Sequence, residues 1–321
     1  MNKNTLLEIK GLKTYFYTFD GVVKALDGVD LAVYEDETLG IVGETGCGKS
    51  ITSLSILNLV PPPGKVEAGE IWFEGEDLLT KSEKAMRDVR GRRISMIFQN
   101  PTSSLNPVFT VGDQLTTVLR THQDLDKQQL RHKAIEMLHT VKLPDADRML
   151  SKYPHELSGG MLQRVMIGMA LSCQPRLLIA DEPTTALDVT IQAQILKLMR
   201  DLKRKMRTSI VLITHDLGVV AKVCQRVAVM YAGAFVEIGD LRVIFKKPSH
   251  PYTRGLLRTI PRLGHKRERL DTIQGRVPNL IHPPPGCRFH PRCSQAMEVC
   301  RQTRPAMTQV GAGQQVACHL Y

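Results

Sequence analysis

The first sixty residues alternate apolar and polar positions in short runs, which are LLEIK, KTYFYTF and VDLAVY. Alternation with a period of two places apolar side chains on one face of an extended segment, so these runs predict antiparallel strands. The next apolar run, TLGIV, does not alternate and stops at the sequence GETGCGKS. It therefore indicates a short strand that is buried on both faces.

Helical spacing replaces this alternation between residues 111 and 150. The segment QLRHKAIEMLHTVKL is polar with apolar positions three or four residues apart, which predicts a helical insertion. Two later apolar runs, RLLIA and SIVLIT, are flanked by helical segments. This arrangement is typical of a parallel sheet built from βαβ units, so the expected fold class is α/β.

The composition changes near residue 246. Pro, Arg, His and Cys become frequent, and four of the seven cysteines follow residue 286. We expect residues 1–245 to form one large domain and residues 246–321 to form a Cys-rich C-terminal extension. Within the large domain, residues of about 106–165 are expected to form the helical subdomain.

Overall composition excludes several classes of protein. The chain has 321 residues and a net charge of +11, with 42% hydrophobic and 23% charged residues, as in soluble proteins. No apolar run approaches the ~18 residues of a membrane helix, and the N-terminal sequence lacks the features of an export signal. We therefore expect a cytoplasmic chain whose clustered cysteines bind metal rather than form disulfides. No nucleic-acid-binding motif accompanies the charge, so nucleic acid is not an expected partner.

The most specific motif is GETGCGKS, which matches the pattern GxxxxGK[ST] directly after the TLGIV run. Glycines let backbone N–H groups face a phosphate, and the following helix adds its positive N-terminal end. Lys49 is expected to reach the β- and γ-phosphates of ATP, and the Ser50 hydroxyl is expected to bind Mg²⁺. Cys47 is interpreted as a small filler within the loop. The candidate ATP-binding residues here are Gly43, Glu44, Thr45, Gly46, Cys47, Gly48, Lys49, Ser50 and Ile51.

A second candidate lies far downstream in LLIADEP, where an apolar strand ends in two acids. Successive residues at a strand end point to different sides. One carboxylate, from Asp181, is expected to bind Mg²⁺, and the next, from Glu182, is expected to position and polarise the attacking water.

The motifs GETGCGKS, IFQNP, LSGGMLQR, LLIADEP, TALD and LITHD follow one another in an order that resembles the ATP-binding subunits of ABC transporters. The resemblance covers residues 1 to about 245. It implies a P-loop ATPase core with a parallel sheet flanked by helices, an antiparallel β-subdomain and a helical subdomain. It also implies a head-to-tail dimer, in which each ATP lies between one chain's phosphate loop and the other chain's Ser158, Gly159 and Gly160.

The same resemblance implies roles for further residues. Gln99 would contact Mg²⁺ and the attacking water, Asp188 would bridge the two ATPase chains, and His215 would contact the γ-phosphate. An aromatic residue in KTYFYTF would stack on adenine. Spacing favours Phe16 over its neighbours Tyr15 and Tyr17, although a strand aromatic can equally be a packing residue.

Three features resemble the D-type ATPase of dipeptide, oligopeptide and nickel importers: Met161 after SGG, the segment FQNPTSSLNPVFTVGDQL, and HPYTRGLL. This resemblance implies a peptide importer on the cytoplasmic face of the cell membrane. Its expected partners are a second, F-type ABC ATPase, two permeases and an extracytoplasmic binding protein. Nickel or another small solute remains an alternative cargo. A soluble ABC ATPase of translation or DNA repair and an iron–sulfur-regulated ATP-binding module remain alternative functions.

The four C-terminal cysteines have the spacing C-x5-C-x6-C-x17-C. Zinc sites usually contain pairs two to four residues apart, and the wider gaps suit a cluster whose ligands come from separate loops. The tail sequence PPGCRFHPRC resembles those of peptide importers, which implies a four-iron four-sulfur cluster bound by Cys287, Cys293, Cys300 and Cys318. Zinc, with His290 or His319 replacing a thiolate, and unligated thiols stay open as alternatives. Charge from Arg288, Arg292 and Arg301 is expected to offset that of the cluster.

Overall fold

The computed structural model describes residues 4–185, 187–259 and 273–321. Ala186 of the TALD motif and residues 260–272 of the predicted extension lie outside this description. None of the helices in the described residues combines the length and the hydropathy that a membrane span requires.

The chain forms two compact units. The first consists of Met1–Thr80 together with Leu212–Tyr321, and the second consists of Lys81–Val211. The first unit is therefore built from both ends of the sequence.

An antiparallel sheet dominates the N-terminal part of the first unit. The elements are β1 (Thr5–Thr18), β2 (Gly21–Tyr34), β3 (Thr38–Val42), α1 (Lys49–Ile56), β4 (Gly64–Phe73), β5 (Glu76–Asp77) and a 3-10 turn at Leu78–Thr80. The strand order is β2-β1-β4-β5. Leu7, Ile9 and Leu12 of β1 are buried, which confirms the antiparallel strands predicted from alternation. Every residue of β3 is buried, as its continuous apolar run predicts.

The second unit is mainly helical. Its elements are α2 (Glu83–Val89), β6 (Ile94–Ile97), α3 (Pro101–Ser104), α4 (Val111–His122), α5 (Lys127–Thr140), α6 (Ala146–Leu150), a 3-10 turn at Pro154–Glu156, α7 (Gly159–Leu171), β7 (Leu177–Asp181) and α8 (Val189–Met206). Strands β6 and β7 pair in parallel. Helices α4 and α5 begin with capping boxes at Thr110 and Asp126, which satisfy backbone N–H groups of the first turn. Helices α4 to α6 occupy the segment where the insertion was predicted.

The remaining elements belong to the first unit, apart from the start of the first strand. This strand lies next to β3, which precedes the loop Gly43–Ser50. The elements are β8 (Ser209–Ile213), α9 (Leu217–Val223), β9 (Arg226–Tyr231), β10 (Ala234–Asp240), α10 (Leu241–Lys246), α11 (Pro251–Arg258), a 3-10 turn at His290–Arg292, α12 (Glu298–Gln302), β11 (Thr308–Gly311) and β12 (Gln314–Val316). The strand order here is β11-β12-β10-β9-β3-β8. β9 is parallel to β3, and β12 is antiparallel to β10. The C-terminal hairpin thus extends this sheet.

Two buried features attach the C-terminal residues to this unit. The Glu237 carboxylate is fully buried and accepts hydrogen bonds from the backbone N–H groups of Ser249 and His250, at 2.8 and 2.9 Å, and from the Gln314 side chain. The rings of Tyr231, Tyr252 and Phe289 pack together with centroid distances of 4.6, 5.1 and 5.3 Å. A buried carboxylate with this many donors is well satisfied.

Candidate active site

The segment Gly43–Ser50 connects β3 to α1 in the first unit. Gly46 and Gly48 have left-handed backbone conformations, with φ of 78° and 109°. A Cβ atom on Gly48 would lie 2.9 Å from the carbonyl oxygen of Ala25, so no other residue fits there without a shift of the backbone. Helix α1 begins at Lys49 and directs its N-terminal end towards the loop, which suits the binding of phosphate.

Lys49 lies folded onto this loop. Its Nζ donates to the carbonyl oxygens of Gly43 and Glu44 at 2.8 and 3.0 Å, and the residue is only 6% exposed. Cys47 is fully buried beside it, and burial raises the pKa of the Cys47 thiol. These contacts leave Cys47 as a neutral, space-filling side chain and keep the ammonium group of Lys49 at the loop.

His215 lies just after β8 and is exposed. The preceding residue, Thr214, donates its backbone N–H to the carbonyl oxygen of Ile41 in β3 at 3.2 Å. Asp216 then caps α9 by accepting the N–H of Gly218 at 2.7 Å. The first unit therefore brings His215 to the end of the sheet at which the phosphate loop begins.

The aromatic residues near the β1–β2 turn differ in exposure. Phe16 is half-buried in β1, where its ring would obstruct a Cβ atom on Gly64. The Tyr15 hydroxyl donates to Asp27 at 2.9 Å, whereas Tyr17 is 45% exposed. Phe19, at the turn itself, is fully exposed. The structure thus adds Phe19 as a candidate for adenine stacking, which strand periodicity did not single out.

In the second unit, Glu182 follows β7, which ends at the buried Asp181. Glu182 has φ of 46°, a left-handed conformation that costs energy and is concentrated at functional sites. Its carboxylate accepts hydrogen bonds from the Gln99 amide at 2.8 Å and the Thr185 hydroxyl at 3.0 Å. The fold therefore brings together two residues that the sequence separates by 83 positions.

Two other candidate residues of the second unit cap helices. The Ser158 hydroxyl accepts the N–H of Met161 at 3.4 Å, and Gly159 and Gly160 are the first residues of α7. Asp188 precedes α8 and accepts the N–H groups of Thr190 and Ile191 at 3.0 and 2.9 Å. A helix start with a hydroxyl and glycine N–H groups can bind an anion.

Comparison with known proteins identifies the family. The sequence profile described as "ABC transporter" matches residues 26–185. A second profile, described as "Oligopeptide/dipeptide transporter, C-terminal region", matches residues 236–300. The oligopeptide transport ATP-binding protein AppD of Bacillus subtilis is 51% identical over 319 residues, which cover 99% of this chain and 97% of AppD.

The chain belongs to the ABC transporter ATP-binding proteins. The dipeptide transport ATP-binding protein DppD of Bacillus subtilis is also 51% identical, over 98% of this chain and 94% of its own. A solved dimeric ATP-binding cassette, in a post-hydrolysis state with ADP and phosphate, aligns with a TM-score of 0.66 and 26% identity. That alignment covers 74% of this chain and 99% of the cassette.

These findings confirm the resemblance that the ordered motifs suggested, and they confirm the ABC cassette fold. The chain is an ATPase of this family. The loop Gly43–Ser50 and His215 belong to the first unit, and the candidate residues Gln99, Ser158, Asp181, Glu182 and Asp188 belong to the second.

The four C-terminal cysteines lie in the first unit. Cys293 and Cys300 each accept a backbone N–H group at sulfur, from Gln295 at 3.4 Å and from Met297 at 3.5 Å. We call Cys287, Cys293, Cys300 and Cys318 the cysteine cluster, and the sulfur atoms of Cys293 and Cys300 thus have backbone donors, as sulfur ligands of metals commonly do.

Burial raises the pKa of the Cys287 thiol to about 11, and repulsion by the charges of Cys300, Cys318 and Cys293 adds to this increase. The sulfur atoms are thus near enough to influence one another. However, within residues 4–185, 187–259 and 273–321 no group of three or more His, Cys, Asp or Glu side chains has a geometry that could hold a metal ion. A tetrahedral zinc site would need its sulfur atoms about 3.8 Å apart.

The arginines near these cysteines contact other groups. Arg288 donates to Asp27 at 2.6 Å, Arg292 donates to Glu44 at 2.6 Å, and Arg301 lies 3.8 Å from Glu298. Sequence reasoning placed all three as counter-charges to a cluster and missed the contact with Glu44. The sequence hinted at a structural role for Arg292, because its segment has few aliphatic residues. It could not identify the partner, Glu44, which is 248 residues away.

Proposed function

We propose that this chain is the ATP-hydrolysing motor subunit of an importer of dipeptides and oligopeptides, attached to the cytoplasmic face of the cell membrane. The observation that carries the proposal is the match of residues 236–300 to the C-terminal region of oligopeptide and dipeptide transporters. The 51% identity to both AppD and DppD supports it. Because these two relatives are named for different peptides, the identity favours neither dipeptides nor longer peptides as cargo.

In this proposal, the candidate residues have separate roles in ATP hydrolysis. Lys49 would bind the β- and γ-phosphates, and the Ser50 hydroxyl, Gln99 and Asp181 would hold Mg²⁺. When bound, Mg²⁺ neutralises charge on the phosphates. Glu182 orients the attacking water, since the hydrogen bond from Gln99 holds its carboxylate in one direction. His215 donates a hydrogen bond to the γ-phosphate.

The helix starts at Ser158 and Asp188 would contact a second ATPase. Ser158, Gly159 and Asp188 are exposed, and Val189 is 78% exposed. Exposed N–H groups at the start of α7 can bind the γ-phosphate of ATP that another chain carries. We infer that this other chain is the F-type ATPase of the same importer, and that two permeases and an extracytoplasmic binding protein complete the assembly.

We also propose that Cys287, Cys293, Cys300 and Cys318 bind a four-iron four-sulfur cluster. The backbone donors at the sulfurs of Cys293 and Cys300 support this choice, because hydrogen bonds to sulfur stabilise the charge of such clusters. The spacing C-x5-C-x6-C-x17-C is wider than that of most zinc sites, which is the reason for choosing a cluster over zinc. The cluster would hold the C-terminal extension in place.

Chemical analysis of protein purified without oxygen tests the cluster. We expect about four iron atoms and four acid-labile sulfides per chain. Cys293→Ser should lower both values, while Cys173→Ser, which changes a cysteine of the second unit, should leave them unchanged. Stoichiometric zinc without sulfide would contradict the proposal.

Peptide uptake by cells that lack the chain tests the transport function. Uptake of labelled dipeptides and of a longer peptide should fall when the gene is deleted. The wild-type chain and Lys84→Ala, a change at an exposed lysine, should restore uptake, whereas Lys49→Ala should not. Undiminished uptake of all peptides in the deletion strain would contradict the proposed cargo. Co-purification with ribosomes or DNA in place of permeases would support a soluble ABC ATPase.

A further inference from the structure

Two residues of the C-terminal extension, Tyr252 and Arg292, contact the phosphate loop, and both of them contact Glu44. The backbone N–H of Glu44 donates to the Tyr252 hydroxyl at 3.0 Å. Its carboxylate accepts two hydrogen bonds from the Arg292 guanidinium, at 2.6 and 3.0 Å. Its carbonyl oxygen accepts the Nζ of Lys49. Both the main chain and the side chain of Glu44 are therefore fixed.

Arg292 is itself held in one orientation. Its side chain is 6% exposed, and its remaining donors are directed at the carbonyl oxygens of Gln274 and Ile273, at 2.8 and 3.1 Å, and at the Tyr231 hydroxyl at 3.3 Å. A guanidinium whose donors are all engaged loses little freedom when it binds a carboxylate in the two-point geometry seen here.

Tyr252 provides a second fixed point. Its ring is fully buried and packs against Tyr231 and Phe289, so its hydroxyl oxygen has a defined position. Because the phenol is buried, its pKa is raised, and the hydroxyl stays neutral and able to accept the N–H of Glu44. The position of the first turn of the phosphate loop thus depends on residues 252 and 292.

Arg288 attaches the same C-terminal segment without touching the loop side chain. It donates to the Ala232 carbonyl oxygen and to Asp27. The neighbouring Gly233 donates its N–H to the carbonyl oxygen of Cys47 at 2.8 Å. Loss of the Arg292 contact would therefore leave the segment in place while releasing Glu44.

We propose that Arg292 and Tyr252 are positioning residues for ATP binding, which act through Glu44 to hold the phosphate loop in the conformation that accepts the triphosphate. The extension is then a working part of the ATPase site. The proposal concerns ATP hydrolysis alone and does not depend on the cargo or on the content of the cysteine cluster.

The test measures KM for ATP and kcat of the full-length chain in the presence of a second ABC ATPase subunit. Arg292→Gln should raise KM about tenfold, the effect of losing one charged hydrogen bond. The kcat value should change less than twofold, because Arg292 touches no reacting atom. Arg292→Lys keeps the charge but not the two-point geometry and should have an intermediate effect. Arg301→Gln removes an exposed arginine of the same extension and should leave both values unchanged.

A second variant changes Glu44, the partner of Arg292 in the phosphate loop. Glu44→Gln should raise KM to a similar extent, and the double variant with Arg292→Gln should be no worse than either single variant, because both remove one interaction. If the two changes instead caused a general loss of packing, their effects on KM would add. The double variant therefore shows whether Arg292 acts through Glu44. If Arg292→Gln does not fold, Glu44→Gln still tests the proposal. An unchanged KM for the folded variants, or fully additive effects, would overturn it.

Discussion

The two units position their candidate site residues in different ways. In the first, Glu44 of the phosphate loop contacts Tyr252 and Arg292, which are 208 and 248 residues away. In the second, Ser158 and Asp188 are held by backbone N–H groups three residues ahead, and Glu182 accepts a hydrogen bond from a threonine at the same spacing. Tertiary contacts thus determine the shape of this loop, whereas local turns orient Ser158 and Asp188, the residues proposed for pairing. Glu182 has contacts of both kinds, since it also accepts a hydrogen bond from Gln99, 83 residues away.

This difference has a consequence for mutants. Changes in the first unit should alter mainly the affinity for ATP, because they deform the loop proposed to bind it. Changes in the second unit should alter mainly turnover or local stability. A change in the first unit that lowered only turnover, or a change in the second unit that lowered only ATP affinity, would contradict this comparison.

The largest effect is expected for Glu182→Gln in the second unit. Loss of the carboxylate that orients the attacking water should lower kcat about 10²- to 10⁴-fold. ATP affinity should stay within a factor of about two, since the phosphate loop is unchanged. Steady-state hydrolysis and equilibrium ATP binding measure the two quantities. Glu136→Gln, at an exposed position of α5, is the matched control. Wild-type turnover by Glu182→Gln would show that the assigned role is wrong.

A smaller effect is expected for the adenine-stacking residue in the first unit. Stacking of an aromatic ring on a base contributes about 1–3 kcal/mol. The exposed ring of Phe19 favours this residue, so Phe19→Ala should weaken ATP binding about tenfold or more, with kcat nearly unchanged. Phe16→Ala should weaken it less. A larger effect for Phe16→Ala would support the residue favoured by sequence spacing instead. Binding of ATP and of GTP to both variants distinguishes the two.

The smallest effect is expected for the helix cap at Asp188. Asp188→Ala leaves two N–H groups at the start of α8 without their acceptor and should lower the free energy of unfolding by about 1 kcal/mol. Asp188→Asn should retain the cap and most of this stability. Urea unfolding monitored by circular dichroism measures the difference. Equal stability of the two variants would mean that the cap contributes nothing.

The sequence predicted the features that depend on local pattern. Alternation placed β1 and β2, the continuous apolar run placed β3, and the glycine spacing placed the phosphate loop. The fully exposed ring of Phe19 was missed because exposure at a turn leaves no periodic signal. The ion pair between Arg292 and Glu44 was missed because a contact across 248 residues has no local signature. The cysteine spacing indicated a common site but could not show that the sulfurs of Cys293 and Cys300 accept backbone N–H groups.

The central claim is that hydrolysis by this chain requires a second ATPase domain. The helix of that domain that corresponds to α7 would contact the bound ATP with its N-terminal residues. The most direct test measures the ATPase rate per chain at increasing concentrations of the chain, alone and with a second ABC ATPase subunit. Light scattering follows the association state in the same samples. The account predicts almost no hydrolysis by the monomer and a rate per chain that rises with pairing. A monomer that hydrolyses ATP at the full rate, independent of concentration and partner, would contradict it.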